Sequence, residues 1–231
     1  MYIERNEKPS INRMIGIAIN MTVGCFNCGF ALAGTLDVVD VLTIQLDWGG
    51  EANRNNTIIS SFAVLGLTLG SIFSKLITEM GRRRAILFAN ILITLVTIPY
   101  FFTNGFWIIC FTRLMFSFGA AVIVNASSLY VSETIPAEYT DKVGISINLG
   151  IVMGIFITQL FGLALPTKLE VQEAEDDYLW RISFSLQLIS VVITSCFWLF
   201  WLQTEPIIFL MKKAEKAGSG SSVHREARKA I

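Results

Sequence analysis

Long apolar runs separated by short polar interruptions occupy most of the chain. Six stand out: Met14–Leu36, Thr57–Ile77, Ala85–Thr103, Phe106–Val131, Val143–Leu165 and Leu179–Leu202. A bilayer core of ~30 Å needs about 20 mostly apolar residues as α-helix, so each run is long enough to cross. Lys75 and Arg113 are the charges that sit inside a run away from its ends. A membrane barrel would show ~10-residue segments of alternating polarity instead. Backbone groups in lipid must bond within their own segment, which makes the runs helices. The first run is not a cleavable signal peptide: it is too long, and the polar segment before it carries Glu4 and Glu7. The pattern predicts an all-α membrane protein in three parts: a polar N-terminus over 1–13, a six-helix bundle over 14–203, and a tail over 204–231. In the tail, Pro206–Ala217 reads as a short amphipathic helix with Ile207, Leu210 and Met211 on one side, and the Gly/Ser-rich remainder reads as disordered.

Composition sharpens this picture. Hydrophobic residues make up 53% of the chain, charged residues 16%, and the mean hydropathy is +0.59. Soluble domains carry roughly 25% charged residues, so a soluble enzyme is excluded and no enzymatic activity is expected. Lys and Arg total 18 and Asp and Glu total 18, leaving no basic excess for a nucleic acid. The signs are nevertheless segregated. Arg5, Lys8, Arg13, Lys75, Arg82, Arg83, Arg84, Lys142 and the tail lysines and arginines fall on one side of the predicted membrane. Asp37, Asp40, Asp47, Glu51, Glu170, Glu173, Glu175, Asp176 and Asp177 fall on the other. The positive-inside rule then places both termini in the cytoplasm. Cys25 and Cys28 have CxxC spacing, but no second ligand pair follows them, so they read as packing residues and no metal or cofactor is expected.

The connections repeat in pattern. A long acidic loop follows the first helix, a short basic turn the second, and Asn104–Gly105 the third; helices four to six follow with a short connection and a second acidic loop. Two consecutive three-helix units must lie in the membrane with opposite topology, an arrangement common in transporters. Gly66 with Gly70, and Gly150 with Gly154, present small ridges where helix backbones can approach.

Several stretches carry a resemblance. Gly81-Arg82-Arg83 resembles the turn after the second helix of the major facilitator superfamily. Arg113, Gly119 and Tyr130-x-x-Glu133-x-x-Pro136 resemble the fourth helix of its sugar porter branch. Gly144 to Gly162, with Asn148, Gly154 and Gln159, is similar to the fifth helix of facilitative glucose transporters of the GLUT type. The resemblance extends loosely from Met14 to Met211 and implies the N-terminal six-helix half of that fold, built as two inverted three-helix repeats. It implies transport of a small polar solute, a hexose-like sugar, by facilitated diffusion with alternating access. A second six-helix half is then required, either a C-terminal half or a homodimer partner, and the plasma membrane is the expected location. A transport-inactive sensor or scaffold acting through the tail is the alternative.

The resemblance also assigns roles. The residue matching Asn148 contacts sugar hydroxyls in the family, and Gln159, eleven residues on, shares its helix face. Asn20 and Asn27, seven apart, share a face of the first helix. Uncharged amides donate and accept hydrogen bonds and leave no buried charge when a site empties, which suits a sugar; they equally suit helix-to-helix bonding. Arg113 cannot be deprotonated, so it needs a partner, a watery cavity or a route to the surface. These five residues are the expected solute contacts. Gly81, Arg82, Arg83, Glu79 and Glu133 are the expected cytoplasmic gating network, with solvated surface charge as the bland alternative. Ser74, Thr78, Glu79 and Thr140-Asp141 depart from the family's usual residues at their positions. Proton-coupled relatives carry an Asp where this chain has Ala31, which disfavours proton symport.

Overall fold

The structure, a computed structural model, describes residues 11–33, 49–102, 105–163 and 179–200. The N-terminal segment 1–10, most of both acidic loops and the tail with its expected amphipathic helix lie outside the described residues. Among the described residues six helices form: α1 (Ile11–Ala33), α2 (Ala52–Thr78, entered through a 3-10 turn at Gly49–Glu51), α3 (Arg82–Phe102), α4 (Phe106–Thr134), α5 (Ala137–Gly162) and α6 (Leu179–Phe200). Each coincides with one apolar run, and no strand occurs among the described residues. By length and composition α1, α2, α4 and α5 can each cross a membrane. Of the six expected spans, α3 and α6 are not among these four over the described residues, where the apolar stretch of α6 is Leu188–Phe197. At 21 and 22 residues both are still ~30 Å long.

Local chemistry sets the boundaries. Ile135 precedes a proline and is therefore held extended (φ −91°, ψ 137°), which ends α4. Pro136 then offers its carbonyl to the N–H groups of Tyr139 (3.0 Å) and Thr140 (3.1 Å), so α5 starts at Ala137, before its apolar run. Between α2 and α3 the chain reverses at Gly81, whose φ of 139° lies where side chains are disfavoured. The Gly81 N–H donates to the Thr78 carbonyl at 3.1 Å.

Two seams hold the bundle. In the first, α1 and α5 run parallel: a Cβ added at Gly150 would clash with the Thr22 carbonyl oxygen, and one at Gly154 with that of Phe26. Gly29 is as tight against Ile151. In the second, α2 and α4 run parallel, and a Cβ added at Gly66 would clash with the Leu114 carbonyl oxygen and one at Gly70 with that of Phe118. The two seams are copies. Gly150 and Gly154 stand 84 residues after Gly66 and Gly70 (66 to 150, 70 to 154), and Leu114 and Phe118 stand 92 after Thr22 and Phe26 (22 to 114, 26 to 118). Exchanging α1 with α4, α2 with α5 and α3 with α6 maps the helix pairs onto one another: α3 packs on α4 as α6 packs on α1, while α1 meets α4 and α3 meets α6. The expected two three-helix repeats are therefore present as a pseudo-two-fold arrangement.

The core lies where the repeats meet. Met21, Cys25, Phe30, Ile93, Phe116, Ile123 and Tyr130 are buried there, and Cys28 joins Cys25 among them. Isoleucine and phenylalanine side chains exposed on α2 and α3, such as Ile72, Phe88 and Ile91, give the outside the apolar character of a lipid-facing surface.

Glycine tolerance tests this architecture. Gly154→Ala forces α5 off α1 and lowers stability by about 1–3 kcal/mol. At Gly24 a Cβ meets Ile123 and Thr194 at an ordinary 3.6 Å, so Gly24→Ala is neutral or stabilises by up to ~1 kcal/mol. Thermal unfolding of the two variants in detergent reads the difference.

Candidate solute-binding face and charge joint

Of the residues expected in the charge network, Arg82 and Glu133 form an ion pair. Arg82 opens α3 immediately after the Gly81 turn, and Glu133 is near the end of α4, 51 residues away in sequence. The turn and the parallel α2–α4 seam bring them together. The guanidinium donates from Nε to Glu133 Oε2 at 3.0 Å and from Nη2 to Oε1 at 2.8 Å, a two-pronged ion pair. Its third nitrogen, Nη1, donates to the Thr78 carbonyl at 2.8 Å and closes the end of α2. The side chains are 12% and 8% exposed. Arg83 is half-buried next to Arg82, whereas Glu79 is the exposed C-cap of α2. One cation thus ties three helix ends together. This joint falls at the end of the bundle that also holds the Pro136 turn.

The five expected solute contacts divide into two groups. Asn148 and Gln159 lie on the exposed side of α5, away from the glycines that face α1. Asn20, Asn27 and Arg113 are interior, at 3%, 0% and 2% exposure. Asn27 is engaged in holding helices together: its Oδ1 accepts a hydrogen bond from Ser190 of α6 at 2.8 Å. For Asn27 the helix-to-helix alternative is the one the packing realises. Asn20 is buried with neither amide atom hydrogen-bonded among the described residues. The exposed side of α5 therefore presents Asn148 and Gln159, and not the α1 amides.

Two amides matter that the spacing arguments did not single out. Asn90 of α3 donates from Nδ2 to Thr194 (3.2 Å) and Ser195 (3.0 Å) of α6. Asn125 of α4 donates to Ser74 of α2 at 3.0 Å. Both sit in the middle of apolar runs, where an amide needs a partner, and that signal was available in the sequence.

The family described as "Sugar (and other) transporter" matches the chain over residues 8–229. The chain belongs to this sugar transporter family. Hexose transporter 1 of Plasmodium falciparum (isolate 3D7) is 26% identical to this sugar-transporter chain over 209 residues, 84% of this chain and 42% of that protein. Hexose transporter 1 of Toxoplasma gondii is 24% identical over 213 residues, 84% of this chain and 37% of that one. Probable inositol transporter 3 of Arabidopsis thaliana is 27% identical over 194 residues, 82% and 31% of the two chains. Among solved structures, the inward-open xylose transporter XylE from E. coli superposes with a TM-score of 0.73 at 16% identity, over 94% of this chain and 55% of that one. Its partially occluded inward-open form gives 0.74, also at 16% identity, over 94% and 54%. These superpositions establish the fold. The chain spans about 40% of the length of the hexose transporters it matches. Family and apolar helices together make it an integral membrane protein.

Removing one partner of the buried joint leaves an uncompensated charge. Glu133→Gln or Arg82→Gln should each lower stability by roughly 3–5 kcal/mol, and the double variant by less than the sum. A double-mutant cycle of detergent unfolding measures that coupling.

Proposed function

We propose that the protein moves a small polyhydroxylated solute, a hexose-like sugar, across the membrane by facilitated diffusion with alternating access. The observation that carries this reading is the exposure of Asn148 and Gln159 on one side of α5. Unpaired amides facing hydrocarbon would be costly, so this side faces water and solute. Amides suit a hexose because each offers both a donor and an acceptor to neighbouring hydroxyls. No charge remains behind when the solute leaves.

Alternating access requires a second bundle to rock against this one. The exposed side of α5 that carries Asn148 and Gln159 is where such a half would close over the solute, whether it belongs to the same polypeptide or to a partner copy. The likeness to hexose and inositol transporters, each more than twice as long as the matched stretch, supports this reading. The Arg82–Glu133 joint then acts as part of the gate at the cytoplasmic end. That assignment follows from the basic Gly81 turn, with both termini on the same side and the plasma membrane as the location. Ala31 in place of a titratable carboxylate on α1 supports passive uniport.

Uptake of labelled hexose into cells that lack their own hexose carriers tests the proposal. Asn148→Ala removes one neutral hydrogen bond to solute, worth about 0.5–1.5 kcal/mol, and should raise the half-saturating concentration roughly 2- to 13-fold. Asn148→Gln, which restores the amide with a longer reach, should recover most of the loss. Saturable uptake with an unchanged half-saturating concentration in Asn148→Ala would refute the assignment.

A further inference from the structure

The side of α5 that carries Asn148 and Gln159 has a counterpart on α2. At 100° per residue, Thr57, Ser61, Thr68, Ser71 and Lys75 fall within a sector of roughly 80° along α2, interrupted by Val64. All five are exposed. The next sector holds Leu65, Ile72, Phe73 and Leu76, which are exposed and apolar and suit lipid. The shift of 84 residues that superposes the two glycine seams carries Val64 onto Asn148 (64 to 148) and Lys75 onto Gln159 (75 to 159). The polar sector of α2 is thus the repeat-mate of the solute-facing sector of α5.

The seam between α2 and α4 continues this surface. Asn125 donates to Ser74 across it. Ser128 and Ser132, three and seven residues further along α4, are exposed. On parallel right-handed helices in this register, Ser128 projects to the same side of the seam as Ser71 and Lys75. A serine or threonine in lipid can satisfy its own proton, and these do: Thr68 donates to the Val64 carbonyl (3.0 Å), Ser128 to that of Val124 (3.0 Å) and Ser132 to that of Leu129 (2.9 Å). Their oxygen lone pairs remain as acceptors. Lys75 decides the matter. Its ammonium forms no ion pair among the described residues and is exposed about 9 Å along the helix from the Gly81 turn. It contributes three donors beside hydroxyl acceptors, a combination that fits vicinal hydroxyls and not acyl chains.

We propose that the polar sector of α2, with Ser128 and Ser132 of α4 beside it, is a second place where the polyhydroxylated solute binds, paired across the repeat with Asn148 and Gln159. It rests on the sugar-transport reading and extends it from one helix to two flanks of the same face. The solute then meets α5 on one flank and α2 on the other as it passes the Arg82–Glu133 end.

Single-cysteine labelling in intact membranes tests this, in the full chain carrying Cys196→Ser so that the exposed native thiol is absent. Ser71→Cys, Ser128→Cys and Asn148→Cys probe the two flanks; Phe73→Cys and Leu76→Cys probe the apolar sector. A charged, membrane-impermeant thiol reagent reacts with the thiolate, which forms in water and not in hydrocarbon. Expected is labelling of Ser71→Cys and Ser128→Cys at least about tenfold faster than of Phe73→Cys and Leu76→Cys, slowed by D-glucose and not by mannitol. Labelling no faster than in the apolar controls would overturn the proposal, since the sector would then face lipid or lie under another bundle. Protection of Asn148→Cys alone by D-glucose would also overturn it while leaving the transport reading intact. Protection of neither flank would remove both.

Discussion

Everything in this bundle depends on backbone meeting backbone without an intervening side chain. Helices in lipid gain nothing from hiding apolar surface, so they associate through close van der Waals packing and polar bonds. Gly150 and Gly154 let α5 rest on the carbonyls of α1, and Gly66 and Gly70 let α2 rest on those of α4. These two contacts fix the register of helices that are far apart in sequence. The register in turn brings Arg82 to Glu133, and Asn125 to Ser74. Polar chemistry follows from packing here.

A division of labour among amides results. Those facing inwards, Asn27 and Asn90, bind α6 to α1 and α3 through its hydroxyls at Ser190, Thr194 and Ser195. Those facing outwards on α5, Asn148 and Gln159, are exposed and bond to no helix among the described residues. The same residue type therefore bridges helices or stands exposed according to which side of a helix it occupies. Residue chemistry alone does not separate the two.

That is also where the sequence stops being legible. Six apolar runs specify six helices, because the length needed to span a bilayer leaves few alternatives. The three-plus-three arrangement shows in the connection lengths. Asn148 and Gln159 share a face by spacing, and the structure finds both exposed on one side of α5. Asn20 and Asn27 share a face by the same rule, yet that face is interior. Periodicity says which residues point together; only the neighbouring helices say towards what. Likewise Gly66 and Gly70 signal a close approach without naming α4 as the partner. The early start of α5 comes from Pro136 and its carbonyl, a turn effect that a hydropathy run beginning at Val143 does not show.

The two ion pairs at the ends of α2 differ in a way that bears on how the protein responds to ionic strength. Arg54 and Glu51 sit at the start of the helix with side chains 65% and 60% exposed, where mobile ions gather around each charge and weaken their attraction. Arg82 and Glu133, at the far end, are shut away from the electrolyte. Raising the salt concentration therefore loosens the entry to α2 while the triple junction at its exit stays fastened.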